Sequence, residues 1–277
     1  MKTVTLPSGE RVPVFGMGSW NLGDDPAARA EEIATLRLGL DLGAGLIDTA
    51  EMYGDGRAEE LIAEAIAGRR DEVFLVSKVY PHNASAKGAP AACERSLRRL
   101  KTDRIDLYLL HWRSGVPLGE TLQAFMRLKE SGKIRHYGVS NLDLEDMQQL
   151  WRLPGGDGVA TNQLLYNLTR RGIEWNLLPW LRRRRVPVMA YSPLEQARLM
   201  RNVKFASYAK REGMTPAQMA LAWLLEGEDV IVIPKCARRE HVKENAAACS
   251  TTLTSAQRAE LDRLFPPPTG TRALEML

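Results

Sequence analysis

The 277-residue chain has only three cysteines, Cys93, Cys236 and Cys249, at irregular spacing. An odd, scattered set excludes both a disulfide framework and a zinc pattern, so reduced thiols and no structural metal are expected. No apolar stretch approaches the roughly 18–20 residues of a membrane span, and the opening MKTVTLPSGERV lacks an apolar run of signal-peptide length. The expectation is a cytoplasmic protein without membrane contact. A strong excess of either charge is also lacking, since the net charge is only +4. Its most visible source, Arg182 to Arg185, is not the longer basic stripe with aromatic partners that nucleic acid demands. It reads as the solvated C-terminus of a helix, where cations meet the negative end of the dipole. A linker is lacking too: no composition break or Ser/Gly-rich stretch divides residues 1–277, which read as a single domain.

What the chain does have is an ordinary globular balance, 44% hydrophobic and 26% charged, and a repeating pattern. The segment KTVTLPSGERVPVFG alternates on either side of PSG and reads as a β-hairpin. Eight apolar runs follow: FGMGSW, GLIDTA, VFLVSK, RIDLYLLH, IRHYGVS, VATNQLL, VPVMAYS and VIVIPK. Between them lie segments with apolar residues at three- and four-residue spacing, such as AEELIAEAIAG and TPAQMALAWLLE. Eight β–α units behind a hairpin predict an α/β fold, a (β/α)8 barrel.

Barrel sites form where the strands end. The runs here end in turn in Asp48, Lys78, His111, Ser140-Asn141, Asn162-Gln163, Tyr191-Ser192 and Lys235. An acid at the end of a buried strand needs a partner, because an unpaired buried carboxylate costs several kcal/mol, and Lys78 ends the neighbouring run. Tyr53 lies in the loop leaving Asp48. Together these groups suit a tyrosine acting as proton donor: the Lys78 ammonium is expected to lower the phenol pKa, Asp48 to keep Lys78 charged, and His111 to position a substrate oxygen. Each element alone has a plainer reading: Asp48 with Lys78 as a structural ion pair, Tyr53 as a packed loop tyrosine, His111 as a core histidine. The four histidines are scattered, which speaks against a metal site.

The succession GMGSW, IDTAEMYGDGRAEE, LVSK, IDLYLLHW, GKIRHYGVSN, NQLLYN, YSPL and IPK resembles the signatures of the aldo-keto reductase family, from about Gly16 to Asn245, and most of all its short bacterial, methylglyoxal-reductase-like members. The resemblance implies a TIM barrel closed at its base by the hairpin. It implies NADPH-dependent reduction of small aldehydes and ketones by a tetrad of Asp48, Tyr53, Lys78 and His111. It places Ser140, Asn141 and Gln163 on the nicotinamide carboxamide, the Tyr191 ring on the nicotinamide, and Ser19, Ser192 and Leu194 along the cofactor. It assigns Lys235 to the 2′-phosphate, Glu244 and Asn245 to the adenine, and Trp20, Tyr80 and Trp112 to the walls around the carbonyl.

The chain departs from that pattern at the adenosine end. Cys236 stands where the family commonly has a small hydroxyl residue, and His241 where it commonly has a phosphate-binding arginine, with Arg238 or Arg239 as the substitute. NADPH is therefore expected ahead of NADH. Glu195-Gln196-Ala197 replaces a commoner Gly-containing turn, and the prolines after SAQRAELDRLF predict a short tail and a small lid. Two other functions fit parts of the pattern. A non-catalytic NADP(H)-binding regulatory or structural protein would not need an intact tetrad. A carboxylate hydrolase would need a second rim acid, for which the loop residue Glu51 is the candidate. A monomer is expected.

Overall fold

The computed structural model describes residues 2–227 and 229–277. Its first two strands, β1 (Thr3–Thr5) and β2 (Arg11–Pro13), form the expected antiparallel hairpin, with Thr3 opposite Pro13. The eight apolar runs become β3 (Gly16–Gly18), β4 (Leu46–Asp48), β5 (Phe74–Val79), β6 (Ile105–Leu110), β7 (Ile134–Ser140), β8 (Asn162–Leu165), β9 (Val188–Tyr191) and β10 (Val230–Val232). They form one parallel sheet in sequential order from β3 to β10. Two lone bridges, Phe15 with Val232 and Gly18 with Lys235, join the first strand to the last and close the barrel. At this seam Gly18 is required by space, because a Cβ there would lie 2.9 Å from the Ile233 carbonyl oxygen.

The outer layer comprises α1 (Arg29–Asp41), α2 (Arg57–Ala65), α3 (Gly88–Leu100), α4 (Leu118–Glu130), α5 (Leu144–Trp151), α6 (Leu177–Arg183), α7 (Val203–Arg211), α8 (Pro216–Leu225), α9 (Arg239–Ala247) and α10 (Ser255–Leu264). Their starts follow local chemistry. Thr215 with Gln218 and Thr254 with Gln257 form capping boxes at α8 and α10, and Asp143 caps α5 by accepting from the Asp146 N–H. No helix among the described residues is long and apolar enough to cross a membrane.

The hairpin covers the base of the barrel. Glu10, just before β2, accepts from the Arg135 guanidinium at 2.8 Å and lies 2.7 Å from His136 Nε2, and the His136 ring stacks on Phe74. The arginine run ends α6 as expected, but it is not simply solvated. Arg182 is paired with Asp229, and the Arg184 guanidinium lies 3.8 Å from the Trp180 ring centroid, where cation–π attraction and stem packing hold it.

Candidate functional site

The rim opposite the hairpin collects the strand-end residues. Asp48 is the last residue of β4, Lys78 the next-to-last of β5, and His111 the first after β6. Asp48 and Lys78 both point into the barrel, and Lys78 Nζ donates to Asp48 Oδ2 at 2.8 Å and to the Thr49 carbonyl at 2.8 Å. The Lys78 side chain has no exposed surface, so its charge depends on these oxygens. The third partner is the Tyr53 hydroxyl, 3.3 Å away, and the ammonium also stands 4.8 Å from the Tyr53 ring centroid. The Tyr53 and His111 rings meet edge to face with centroids 5.8 Å apart. The four residues named from the sequence are thus one cluster.

Electrostatics departs from expectation at Tyr53. Its pKa is raised rather than lowered: removing the phenol from water is the largest cause, the Lys78 charge offsets part of it, and the Asp48 charge reinforces it. Tyr53 is accordingly a protonated phenol well into alkaline pH. Lys78 has the opposite conflict. Burial opposes its charge, but Asp48 and the Tyr53 oxygen outweigh burial and raise its pKa. Burial, with Lys78 adding repulsion, pushes His111 down to about 2, so the imidazole is neutral. Its Nδ1 is buried without a partner among the described residues.

Around this cluster, Gln163 donates to Asp48 Oδ1 at 2.8 Å, closing the second oxygen of that carboxylate. Ser140 Oγ donates to the Gln163 carbonyl, Asn141 Nδ2 to the His111 carbonyl, and Tyr191 OH to Asn141 Oδ1 at 3.0 Å. Asn162 differs from its partner Gln163. It opens β8 rather than ending it, and its amide donates to the Leu142 carbonyl. Ser19 is fully buried at the rim with an Oγ that has no partner among the described residues, while Trp20 is 46% exposed. Tyr80 and Trp112 pack edge to face at 5.7 Å, next to His111.

Beyond β10 the rim is basic. Lys235 and Arg238 are exposed and form no ion pair among the described residues, and the first turn of α9 has no side-chain cap. Arg239 is committed to Glu31 through two bonds of 2.9 Å, leaving Arg238 as the free substitute. His241 is exposed on α9 and Glu244 half-buried. Asn245 is turned inward: it is 2% exposed and its amide reaches Cys236 Sγ.

Two features noted in the sequence go further in the structure. In the loop after β9, Ser192, Glu195, Gln196 and Ala197 all have positive φ without being glycine. Arg170 and Asn167 hold that loop by donating to the Glu195 carboxylate, and Asn167 also donates to the Ser192 carbonyl. The tail, though it leaves α10 without helix, returns to the rim. Glu275 pairs with Arg170, and residues Thr271–Glu275 border a cleft of about 910 Å³ beside α5.

Comparison with known proteins gives the family. The model of the aldo/keto reductase family matches residues 14–265. The chain is 49% identical to methylglyoxal reductase YeaE of Escherichia coli, over 100% of this chain and 99% of that protein. It is 30% identical to methylglyoxal reductase DkgB of Salmonella typhimurium, over 92% of this chain and 96% of that one. Among solved structures, an aldo/keto reductase from Klebsiella pneumoniae in complex with NADP and acetate superposes with a TM-score of 0.97, at 50% identity, over 100% of this chain and 99% of that chain.

Proposed function

The chain belongs to the aldo/keto reductase family and is an NADP-dependent oxidoreductase that reduces carbonyl compounds; on that premise we propose that Tyr53 is its general acid and small aldehydes its substrates. The observation that carries the first part is the buried Lys78 ammonium, bridging the Asp48 carboxylate and the Tyr53 hydroxyl at 2.8 and 3.3 Å. NADPH, when bound, supplies the hydride to the carbonyl carbon. Tyr53 O–H donates its proton to the carbonyl oxygen. Lys78 stabilises the phenolate left behind, and Asp48, held by Gln163, keeps Lys78 charged and aimed. Neutral His111 orients the oxygen without competing as an acid. In this reading Glu51 is not a hydrolytic acid, since both of its oxygens already accept hydrogen bonds.

The residues present suit the cofactor. Ser140, Asn141 and Gln163 offer amide and hydroxyl groups for a carboxamide, and the orphaned Ser19 Oγ lies on the same rim. Tyr191 offers its ring, and the loop of Ser192 and Leu194 flanks it. Lys235, Arg238 and the uncapped start of α9 provide cations and free N–H groups for the 2′-phosphate, with His241 adding an imidazole and Glu244 further along α9 for the adenine, while the inward Asn245 supports α9 through Cys236. Lys235→Met should therefore weaken NADPH by roughly 1.5–3 kcal/mol, the scale of a charged hydrogen bond, and leave NADH nearly unchanged. Titration of both cofactors against tryptophan fluorescence checks this, and equal losses would refute it.

The substrate reading comes from the walls. Trp112, against His111, and Tyr80, packed on Trp112, offer aromatic surface on the Tyr53 side of the rim, with the exposed Trp20 ring as a further wall, enough for a compact carbonyl. The relatives named methylglyoxal reductases point to activated α-oxoaldehydes, whose electrophilic carbonyl asks least of the enzyme. NADPH oxidation against short aldehydes, α-oxoaldehydes, aryl aldehydes, hexoses and ketosteroids should give methylglyoxal and small aldehydes the highest kcat/KM. A ketosteroid or hexose ahead of them would overturn the assignment.

A further inference from the structure

Glu51 sits two residues before Tyr53, and only 5% of its side chain is exposed. A buried carboxylate in a rim loop requires donors, and this one has three. Oε1 accepts from the Tyr80 main-chain N–H at 2.7 Å and from Asn83 Nδ2 at 3.0 Å. Oε2 accepts from Arg95 Nη2 at 3.1 Å, on α3. The loop that carries Tyr53 is thereby tied to the turn Tyr80–Asn83, which follows β5 and presents the Tyr80 ring. That turn is also held from the other side, where Ser114 Oγ donates to the Pro81 carbonyl.

We infer that Glu51 is a positioning residue: through the Tyr80 main chain it sets the distance between the Tyr53 hydroxyl and the Tyr80–Trp112 wall, and so selects substrates by the size of the group attached to the carbonyl. The inference rests on the assignment of Tyr53 and Tyr80 above and adds to it a residue that touches no substrate. Its two oxygens have separable duties. The Oε1 bonds place the turn, and turn placement governs how a bulky carbonyl substituent fits between the rings. The Oε2 bond to Arg95 joins α3 and governs stability. A short α-oxoaldehyde, which needs little of the wall, should be indifferent to the first duty.

The test compares methylglyoxal with benzaldehyde in the parent, Glu51→Ala, Glu51→Gln and Arg95→Ala. Without Oε1 the turn loosens, so Glu51→Ala should raise KM for benzaldehyde about tenfold while leaving methylglyoxal within about twofold, a split in specificity that lost stability alone does not produce. Glu51→Gln keeps an amide oxygen for the Tyr80 N–H and should restore the parental ratio of the two substrates. Arg95→Ala should lower the melting temperature with the ratio unchanged. NADPH affinity should be the same in all four. A folded Glu51→Ala protein with the parental ratio, or an Arg95→Ala protein with the same altered ratio, overturns the inference. If Glu51→Ala does not fold, Glu51→Gln and Asn83→Ala decide: the ratio must survive in the former and shift in the latter. A parent that reduces neither aldehyde would instead refute the substrate reading on which the inference rests.

Discussion

Tyr53→Phe should lower carbonyl reduction by roughly 10²–10⁴-fold, the usual loss of a general acid, while NADPH affinity stays nearly unchanged. The substitution removes one hydroxyl and no ring. Lys78 keeps its two 2.8 Å bonds, to Asp48 and to the Thr49 carbonyl, so the cluster should survive. The raised phenol pKa adds a second signature. Reduction needs the protonated phenol, and a pKa shifted upward by burial keeps that form dominant as pH rises, so Tyr53 should introduce no alkaline decline in kcat through pH about 9. Had the ammonium prevailed over burial, the phenol would ionise earlier and reduction would fall on the alkaline side. Activity of Tyr53→Phe within tenfold of the parent would refute the role.

Lys78→Met should be the most destabilising single change at the rim, by about 3–5 kcal/mol, because it leaves the Asp48 carboxylate buried with only the Gln163 amide for company. For a chain of this size that corresponds to a fall in melting temperature of roughly 5–9 °C. The double variant Asp48→Asn/Lys78→Met carries no buried charge and should regain much of that loss, since an ion pair removed whole costs far less than half of one. Activity should be lost in both. Urea unfolding of the parent, the two single variants and the double variant measures the coupling. A double variant no more stable than Lys78→Met would mean that the pair is not coupled as described.

Much of this site could be read from the chain because barrel strands announce themselves. An apolar run that stops at Asp48, Lys78 or His111 can only present that side chain at the rim, and the hairpin and all eight strands appear where the runs lie. What escaped depends on the path between strands. Asn162 and Gln163 are adjacent in sequence, but the alternation of a strand sends one inward and the other out, and only the register of β8 decides which. The bond between Gln163 and Asp48 spans 115 positions, and no local pattern encodes it. The direction of the Tyr53 shift likewise depends on how much water the folded rim excludes, whereas the sequence reveals only that a lysine is near. Glu51 was visible as a loop acid, but the turn that supplies its donors is a tertiary product. Tail prolines correctly stop α10, yet nothing in them shows that the chain turns back toward Arg170.

The closed base of the barrel also sets an order of events. During synthesis the hairpin leaves the ribosome before the barrel strands, but the arginine that fastens it, Arg135, lies 125 positions after Glu10. At ribosomal rates of about 5–20 residues per second, the plug waits on the order of ten seconds for its anchor. Strand β3 waits longer still, because its second neighbour is the last strand of the barrel. A long, apolar waiting edge would recruit other nascent chains. This one is three residues, two of them glycine, which is a poor template for pairing. The glycine that lets the two ends of the barrel meet therefore also helps keep the unfinished chain from meeting anything else.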